Sequence, residues 1–380
     1  MIFSNTEQLQ NFWKAFAEGN TEEIEKYQEF VPMFEKMREL SELLRKNRHA
    51  RGSIDFDFPE AKIILDKKGK PVDIRPYEAN TATKIIEDFM LLANETVASE
   101  YFWQEIPFVY RTHEAPDSDK IKKLDTFIHN FGYYMKTGRE SFHPKEIQKL
   151  LFSLEGEPEE PLISRLALRS MKQAKYTTLN VGHFGLSTQY YTHFTSPIRR
   201  YPDLIVHRLL KEHVIDGKAM PKDIDEYLSI AGDHLSATER RAQKIERTVD
   251  DLLSCKYMSK HIGQQYKGVI TSLTKYGMYL ELENGIDVLI PYANIDEDIY
   301  DYRDDIFQAK GLKNKKTFNI GDEMDVVIYQ INYERLEITC CTPYFYENRE
   351  ALERAIKDRF FEKAFDFSKE KRFGTHSDKD

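Results

Sequence analysis

Cysteine is almost absent: only Cys255, Cys340 and Cys341 occur in 380 residues. The count is odd and two of the three are neighbours that cannot easily bridge each other. A disulfide framework is excluded, and a reduced, cytoplasmic protein is expected. Long apolar runs are also missing. No stretch approaches the roughly 20 apolar residues of a membrane span, so no membrane partner is expected. The opening Met1-Ile2-Phe3-Ser4-Asn5-Thr6-Glu7 has neither a basic nor an apolar region and does not read as a secretory signal. There is no internal repeat. A basic surplus is lacking too: the net charge is −9. Taken alone this argues mildly against a nucleic-acid binder, although it leaves room for a local basic channel.

What is present points to a globular chain. Hydrophobic residues make up 41 %, enough for a packed core. The length suits two domains of roughly 100–200 residues each. With 22 Tyr and 24 Phe, most rings are expected in the core and some as stacking platforms.

Up to about Arg51 the chain reads as helices, with Phe30, Phe34, Met37, Leu40, Leu43 and Leu44 on one apolar face. Residues 51–59 and 61–65 alternate and read as two strands, followed by a Lys67-Lys68-Gly69-Lys70 turn. Asn80–Ser99 reads as a helix capped by Asn80 or Thr81, burying Ile85, Phe89, Leu92 and Val97. Further helices are expected from Pro144, over Ile163–Ala174 and from Asp203, with Pro202 at the first turn. Tyr176–Thr195 reads as irregular. A long amphipathic helix follows from about Asp223 to His261, its stripe marked by Leu235, Thr238, Ala242, Ile245, Val249 and Leu252. From Tyr266 the period changes from 3.6 to 2. About five short strands to Cys340, with an Asn284-Gly285 turn, suit an OB-type barrel. The tail from Pro343 reads as a helix whose tip, Lys369–Asp380, is expected to be disordered.

The most informative stretch is His193-Phe194-Thr195-Ser196-Pro197-Ile198-Arg199-Arg200-Tyr201-Pro202-Asp203-Leu204. Ser196-Pro197 is a turn, and two arginines stand just before a helix start. The free N–H groups and dipole of a helix N-terminus favour an anion. Guanidinium groups add bidentate hydrogen bonds to phosphate. A phosphate site is therefore expected. The alternative, that Arg199 and Arg200 only pair with nearby acids, stays open.

This run resembles the signature of the ribonuclease R / ribonuclease II (RNB) family. So do Gly182-His183-Phe184-Gly185-Leu186, Leu168–Ala174, Arg51–Phe56, Ile86–Asn94 and Ala237–Ala242, all in the family's order up to about Cys341. The resemblance implies an α+β protein: a helix-rich RNB catalytic-domain portion (1–262), a small five-stranded OB-fold β-barrel (263–342) and a partly disordered tail (343–380). It implies a processive, Mg²⁺-dependent 3′→5′ exoribonuclease that degrades single-stranded RNA to nucleoside 5′-monophosphates and is monomeric. Arg199 matches the family arginine on the scissile phosphate, where a fixed positive fork would stabilise developing charge. Glu246 matches a glutamate near the active site. His193, Thr195, Ser196, Arg200 and Tyr201 are the expected RNA contacts around Arg199.

Two departures stand out. The family's Asp-rich metal motif is not found, so no metal ligand is assigned. Asp55 and Asp57 belong to another segment, and Asp301, Asp304 and Asp305 read as solvated loop residues. The chain reads as starting after that motif, which makes a missing N-terminal half an expected partner. Non-catalytic RNA binding is the competing reading, and a helical scaffold with a partner-binding barrel a remote one. At Ile63 the family carries an aromatic that clamps a base. Isoleucine forgoes stacking worth about 1–3 kcal/mol per base.

Residues 266–341 resemble the RNA-binding module of ribosomal protein S-one. Tyr276-Gly277-Met278-Tyr279 matches its aromatic-Gly-x-aromatic strand, and Lys267 and Lys275 are the expected phosphate contacts. Pro291 stands where the module often has histidine. In an alternating strand, residues three apart face opposite sides, so one of Tyr276 and Tyr279 is expected in the core. The acidic loop 296–305 is expected to repel RNA.

Overall fold

The computed structural model describes residues 25–54, 60–77, 80–136, 142–157, 159–303 and 307–354. Asp55, Asp57, Asp304, Asp305 and the tail tip lie outside them. Two compact units emerge. The first holds the described residues up to Ile54 and from Asn80 to Ile245. The second holds the hairpin at 60–77 and everything from Glu246.

The first unit opens with α1 (Val31–Arg51), which stops at Gly52. That residue has φ 108°, a left-handed value that glycine adopts without strain, and its N–H closes onto the carbonyls of Arg48 and His49. Arg51–Ile54 is thus the end of a helix and its turn. The strand expected from the alternation at 51–59 does not form over these residues. Leu40 and Leu43 are exposed. The buried side chains of α1 are Phe34, Ser41 and Arg48, one every seven residues.

The partner of that face is α2 (Thr81–Trp103). Asn80 caps it: the Thr83 N–H donates to Asn80 Oδ1 at 2.9 Å, and the Asn80 N–H donates to Thr83 Oγ1 at 3.0 Å. Ile85 is buried as expected, whereas Leu92 is exposed and Asp88 and Asn94 are buried instead. Asp88 receives Ser41 Oγ at 2.6 Å, Arg48 Nη1 at 2.6 Å and Arg45 Nη2 at 2.7 Å. Burial alone would raise its pKa; the bonds from Ser41, Arg48 and Arg45 outweigh this and hold the carboxyl below its ordinary value.

β3 (Tyr110–Thr112), α3 (Ser118–His129), α4 (Pro144–Leu154), α5 (Glu160–Ser170) and β4 (Lys175–Thr177) follow, with β3 and β4 antiparallel. α6 (Tyr201–Leu209) continues into a π-turn over Leu210–Ile215, and α7 (Ile224–Met258) is the long helix. One core joins α2, β3, β4, α6 and the start of α7 through Tyr101, Phe108, Tyr176, Val206, Leu228 and Leu235. α7 approaches β4 closely because position 232 is glycine: a Cβ there would stand 3.0 Å from the Tyr176 carbonyl oxygen. The expected stripe is only partly used, since Ile245 and Val249 are exposed.

In the second unit, β1 (Glu60–Leu65) and β2 (Pro71–Tyr77) form an antiparallel hairpin. Its turn is held by Asp66 Oδ1, which accepts the N–H groups of Lys68 and Lys70. Ile74 joins the core of this unit, and Ile63 packs against it. Five strands close into a barrel: β5 (Gln265–Leu273), β6 (Gly277–Leu282), β7 (Asp287–Pro291), β11 (Glu323–Asn332) and β12 (Glu337–Cys341). All neighbours are antiparallel except β12 and β7, which pair parallel at Thr339 and Leu289. This is the expected OB-type barrel, and its inner face carries Ile270, Met278, Leu280, Val288, Ile290, Val326 and Ile328.

Within the segment read as an acidic loop, Tyr300–Arg303 is a strand. β8 (Tyr300–Arg303), β9 (Gln308–Gly311) and β10 (Thr317–Asn319) make a small antiparallel sheet. Asp301 is exposed on β8, as expected, and the Asp298 carboxylate accepts the N–H groups of Lys313 and Asn314. No helix among the described residues is long and apolar enough to cross a membrane.

Candidate functional site

The signature loop, residues 191–200, is tied to the surrounding elements at almost every step. The Arg111 N–H donates to the Tyr191 carbonyl at 2.9 Å, and Thr192 Oγ1 donates to the Val109 carbonyl at 2.7 Å. Buried Asn94 serves two partners: its Nδ2 donates to the Tyr191 hydroxyl at 3.2 Å, and its Oδ1 accepts the Phe194 N–H at 3.0 Å. His207 stacks on Phe194 with ring centroids 4.3 Å apart, and its Nε2 lies 2.8 Å from the Phe194 carbonyl oxygen.

The turn itself closes on Asp203, in the first turn of α6. Asp203 is 0 % exposed. Its Oδ1 accepts both the Ser196 N–H and Arg200 Nη2, each at 2.7 Å. The carbonyl of Ser196 accepts the N–H groups of Arg199 and Arg200 at 3.3 and 3.0 Å. Arg200 is therefore turned inward as an internal ion pair. Arg199 is different: it is exposed, and its guanidinium makes no hydrogen bond or ion pair among the described residues. Tyr201 and Ile198 are exposed beside it.

Behind the loop lies a set of buried rings. His193 Nδ1 stands 2.7 Å from the Tyr176 hydroxyl. Tyr191 is edge-on to both His193 and His183. Burial first, then the positive charges of Arg200 and Arg111, push the His193 pKa down to about 2. Burial, His113 and Arg111 push that of His183 down to about 3. Both imidazoles are neutral at physiological pH. Positive charge near the loop thus resides on arginines, whose protonation does not vary with pH. A cavity of about 320 Å³ opens beside the loop, lined by Thr83, Ile86, Glu87, Asn94, Tyr191 and Arg200 among others.

Of the residues singled out from the sequence, His193, Thr195, Ser196, Arg199, Arg200 and Tyr201 share this loop and the start of α6. Thr195 Oγ1 is buried without a hydrogen-bond partner among the described residues. Glu246 is exposed on α7 in the second unit. Burial first, and then its charge, raise the pKa of Asp250. Lys267, Lys275, Tyr276 and Tyr279 all lie on the barrel surface. Tyr276 is 84 % and Tyr279 37 % exposed. Neither is in the core, contrary to the strand-parity expectation, because Tyr276 belongs to the turn before β6 and only Tyr279 obeys the pleat. Gly277 permits that turn: a Cβ there would run into the Ile290 carbonyl. The sequence reading did not single out Asn94, Arg111, Tyr176, Asp203 or Glu239 as site residues. A polar Asn94 inside an otherwise apolar helical run was the one visible hint.

Among the described residues, no three histidine, cysteine, aspartate or glutamate side chains come close enough to hold a metal ion.

Fold and site together give a helical domain with an unpaired arginine on a braced loop, and an OB-type barrel with exposed aromatics. Residues 4–216 match the RNB domain and residues 259–342 match the S1 RNA binding domain. The chain belongs to the RNB family of exoribonucleases. It is 40 % identical to ribonuclease R of Aquifex aeolicus over 82 % of this chain and 44 % of that protein. It is 33 % identical to ribonuclease R of Escherichia coli over 84 % of this chain and 41 % of that protein. Among solved structures it is similar to Mycoplasma genitalium RNase R in complex with ribose methylated single-stranded RNA. The TM-score is 0.76 at 28 % identity, covering 82 % of this chain and 49 % of that one. The same RNase R in complex with double-stranded RNA matches with a TM-score of 0.68 at 26 % identity, covering 80 % and 50 %. The chain thus spans less than half the length of these curated relatives.

Proposed function

We propose that this chain is the RNA-gripping part of a processive 3′→5′ exoribonuclease that degrades single-stranded RNA to nucleoside 5′-monophosphates in the cytoplasm. One observation carries the reading: the Arg199 guanidinium is exposed and has no hydrogen bond or ion pair among the described residues, while Ser196 and Arg200 on either side of it are held by Asp203. A guanidinium with no internal partner is available to bind a phosphate bidentately and to stabilise charge developing on its oxygens. His193, Thr195, Ser196, Arg200 and Tyr201 shape the seat around it. In the second unit Tyr276, Tyr279, Lys267 and Lys275 contact RNA, and Glu246 takes the part of the family glutamate that it matches. Mg²⁺ is the metal that the family implies. Its carboxylate ligands are proposed to come from the part of the enzyme that this chain does not span.

The test is incubation of the chain with Mg²⁺ and 5′-labelled oligo(A), followed by gel shift and product analysis. The expected result is a salt-sensitive shift that Arg199→Ala weakens, with no release of mononucleotides until the remaining part of the relative is supplied. Stepwise release by the chain alone, lost in Arg199→Ala, would overturn the assignment of the metal ligands. Absence of any shift would overturn the RNA reading itself.

A further inference from the structure

Glu239, on α7, contacts nothing in the signature loop directly, yet it stands at the end of a chain of polar contacts that reaches His193. Arg111 Nη1 donates to Glu239 Oε2 at 2.6 Å. The Arg111 guanidinium also lies over the Tyr176 ring, 4.6 Å from its centroid. The Tyr176 hydroxyl stands 2.7 Å from His193 Nδ1 and 3.4 Å from Glu239 Oε1. Glu239 thus gives one oxygen to Arg111 and turns the other to Tyr176.

Counting protons favours one direction for this chain. A phenol has one hydrogen. Burial keeps Tyr176 protonated by raising its pKa. If that hydrogen pointed at His193, a bare phenol lone pair would face the carboxylate. Both contacts are hydrogen bonds only when Tyr176 donates to Glu239 and His193 Nδ1–H donates to Tyr176. The ring of His193 is neutral, so Nε2 then keeps its lone pair. It has no hydrogen-bond partner among the described residues, and the charges of Arg200, Arg111 and Arg199 bear on the ring.

We propose that Glu239 is a positioning residue: through Tyr176 it sets the tautomer of His193 and leaves Nε2 as an acceptor for a ribose hydroxyl of bound RNA. The proposal rests on the RNA-binding reading above. The 2′-hydroxyl is the group that lets a protein tell RNA from DNA at a given site.

Glu239→Gln tests it without changing shape. Arg111 demands the amide oxygen, so the amide nitrogen faces Tyr176 and donates to it. The phenol hydrogen then turns to His193 Nδ1, and the proton moves to Nε2. The readout is the ring-nitrogen NMR spectrum of ¹⁵N-histidine-labelled chain, with the His193 signals assigned by their loss in His193→Asn. The expected result is protonated Nδ1 in the wild type and protonated Nε2 in Glu239→Gln. Tyr176→Phe, which cuts the chain, should give a mixture. Affinities for single-stranded RNA and DNA of one sequence are measured alongside. The RNA-to-DNA ratio should fall about 2- to 10-fold in Glu239→Gln, the size of one hydrogen bond. Protonated Nε2 in the wild type, or no change in Glu239→Gln, overturns the relay. A tautomer change at constant RNA-to-DNA ratio overturns the ribose contact. A wild type that binds neither nucleic acid sinks the RNA reading, and the spectra show separately whether the relay stands.

Discussion

Ser196 and Asp203 close the signature turn: the Ser196 N–H donates to Asp203 Oδ1 across 2.7 Å. The same oxygen receives Arg200 at 2.7 Å, so one buried carboxylate organises both the turn and its inner arginine. Removing it leaves Arg200 without a counter-charge. Asp203→Ala should destabilise the protein by roughly 3–5 kcal/mol, the scale for breaking a buried pair from one side. Urea unfolding followed by circular dichroism measures this, and a loss below about 0.5 kcal/mol, the scatter of neutral surface changes, would contradict it.

Arg199 should behave in the opposite way. It holds nothing in place, so Arg199→Ala should leave the melting temperature unchanged. Single-stranded RNA affinity should fall, and the slope of log affinity against log salt should become shallower by about 0.7, one phosphate contact's worth for a single strand. An unchanged slope would mean that Arg199 does not meet a phosphate.

On the barrel, Tyr276→Ala should cost roughly 1–3 kcal/mol of RNA affinity, the value of one stacked base, with little effect on folding. Gly277→Ala should do the reverse at first hand: its Cβ collides with the Ile290 carbonyl, so the barrel itself loses stability. Fluorescence titration with oligo(U) and thermal melts of both variants separate the two effects.

Acid should weaken the first unit through its buried imidazoles, His183 and His193, and then through its ion pairs. His183 titrates near 3 when folded, against about 6.5 when unfolded. The unfolded chain therefore takes up the proton first, and stability drains as pH falls below about 6.5 towards 3. Replacing His183 with Asn should flatten that decline in a series of urea melts between pH 7 and 4.5.

Asp88 contributes the second step. Its folded pKa lies below the ordinary value. Its ion pairs therefore stabilise fully above the unfolded value of about 3.9 and are lost as pH falls through the folded one. Asp88→Asn should be markedly less stable at pH 7, and the gap from wild type should narrow below about pH 3.9. A gap independent of pH would show that the carboxylate's charge is not what holds α1 to α2.

Periodicity and turn chemistry alone determined much of this protein. The shift from period 3.6 to 2 at Tyr266 marked the barrel. Asn80 marked the start of α2, and Pro202 marked the head of α6 behind the paired arginines. These are local signals, carried by neighbours in the chain. The tertiary structure decided what local patterns do not encode. Leu40, Leu43 and Leu92 fit an apolar stripe, but the packed faces of α1 and α2 carry Ser41, Arg48 and Asp88, because a buried charge is admissible once its partners arrive from another helix. Arg199 and Arg200 are identical neighbours in sequence. Only the position of Asp203 turns one inward as a brace and leaves the other free for a ligand. Arg111, Tyr176, His193 and Glu239 are spread over 129 residues. What joins them is the docking of α7 on β4 at Gly232, a close approach that no local pattern records.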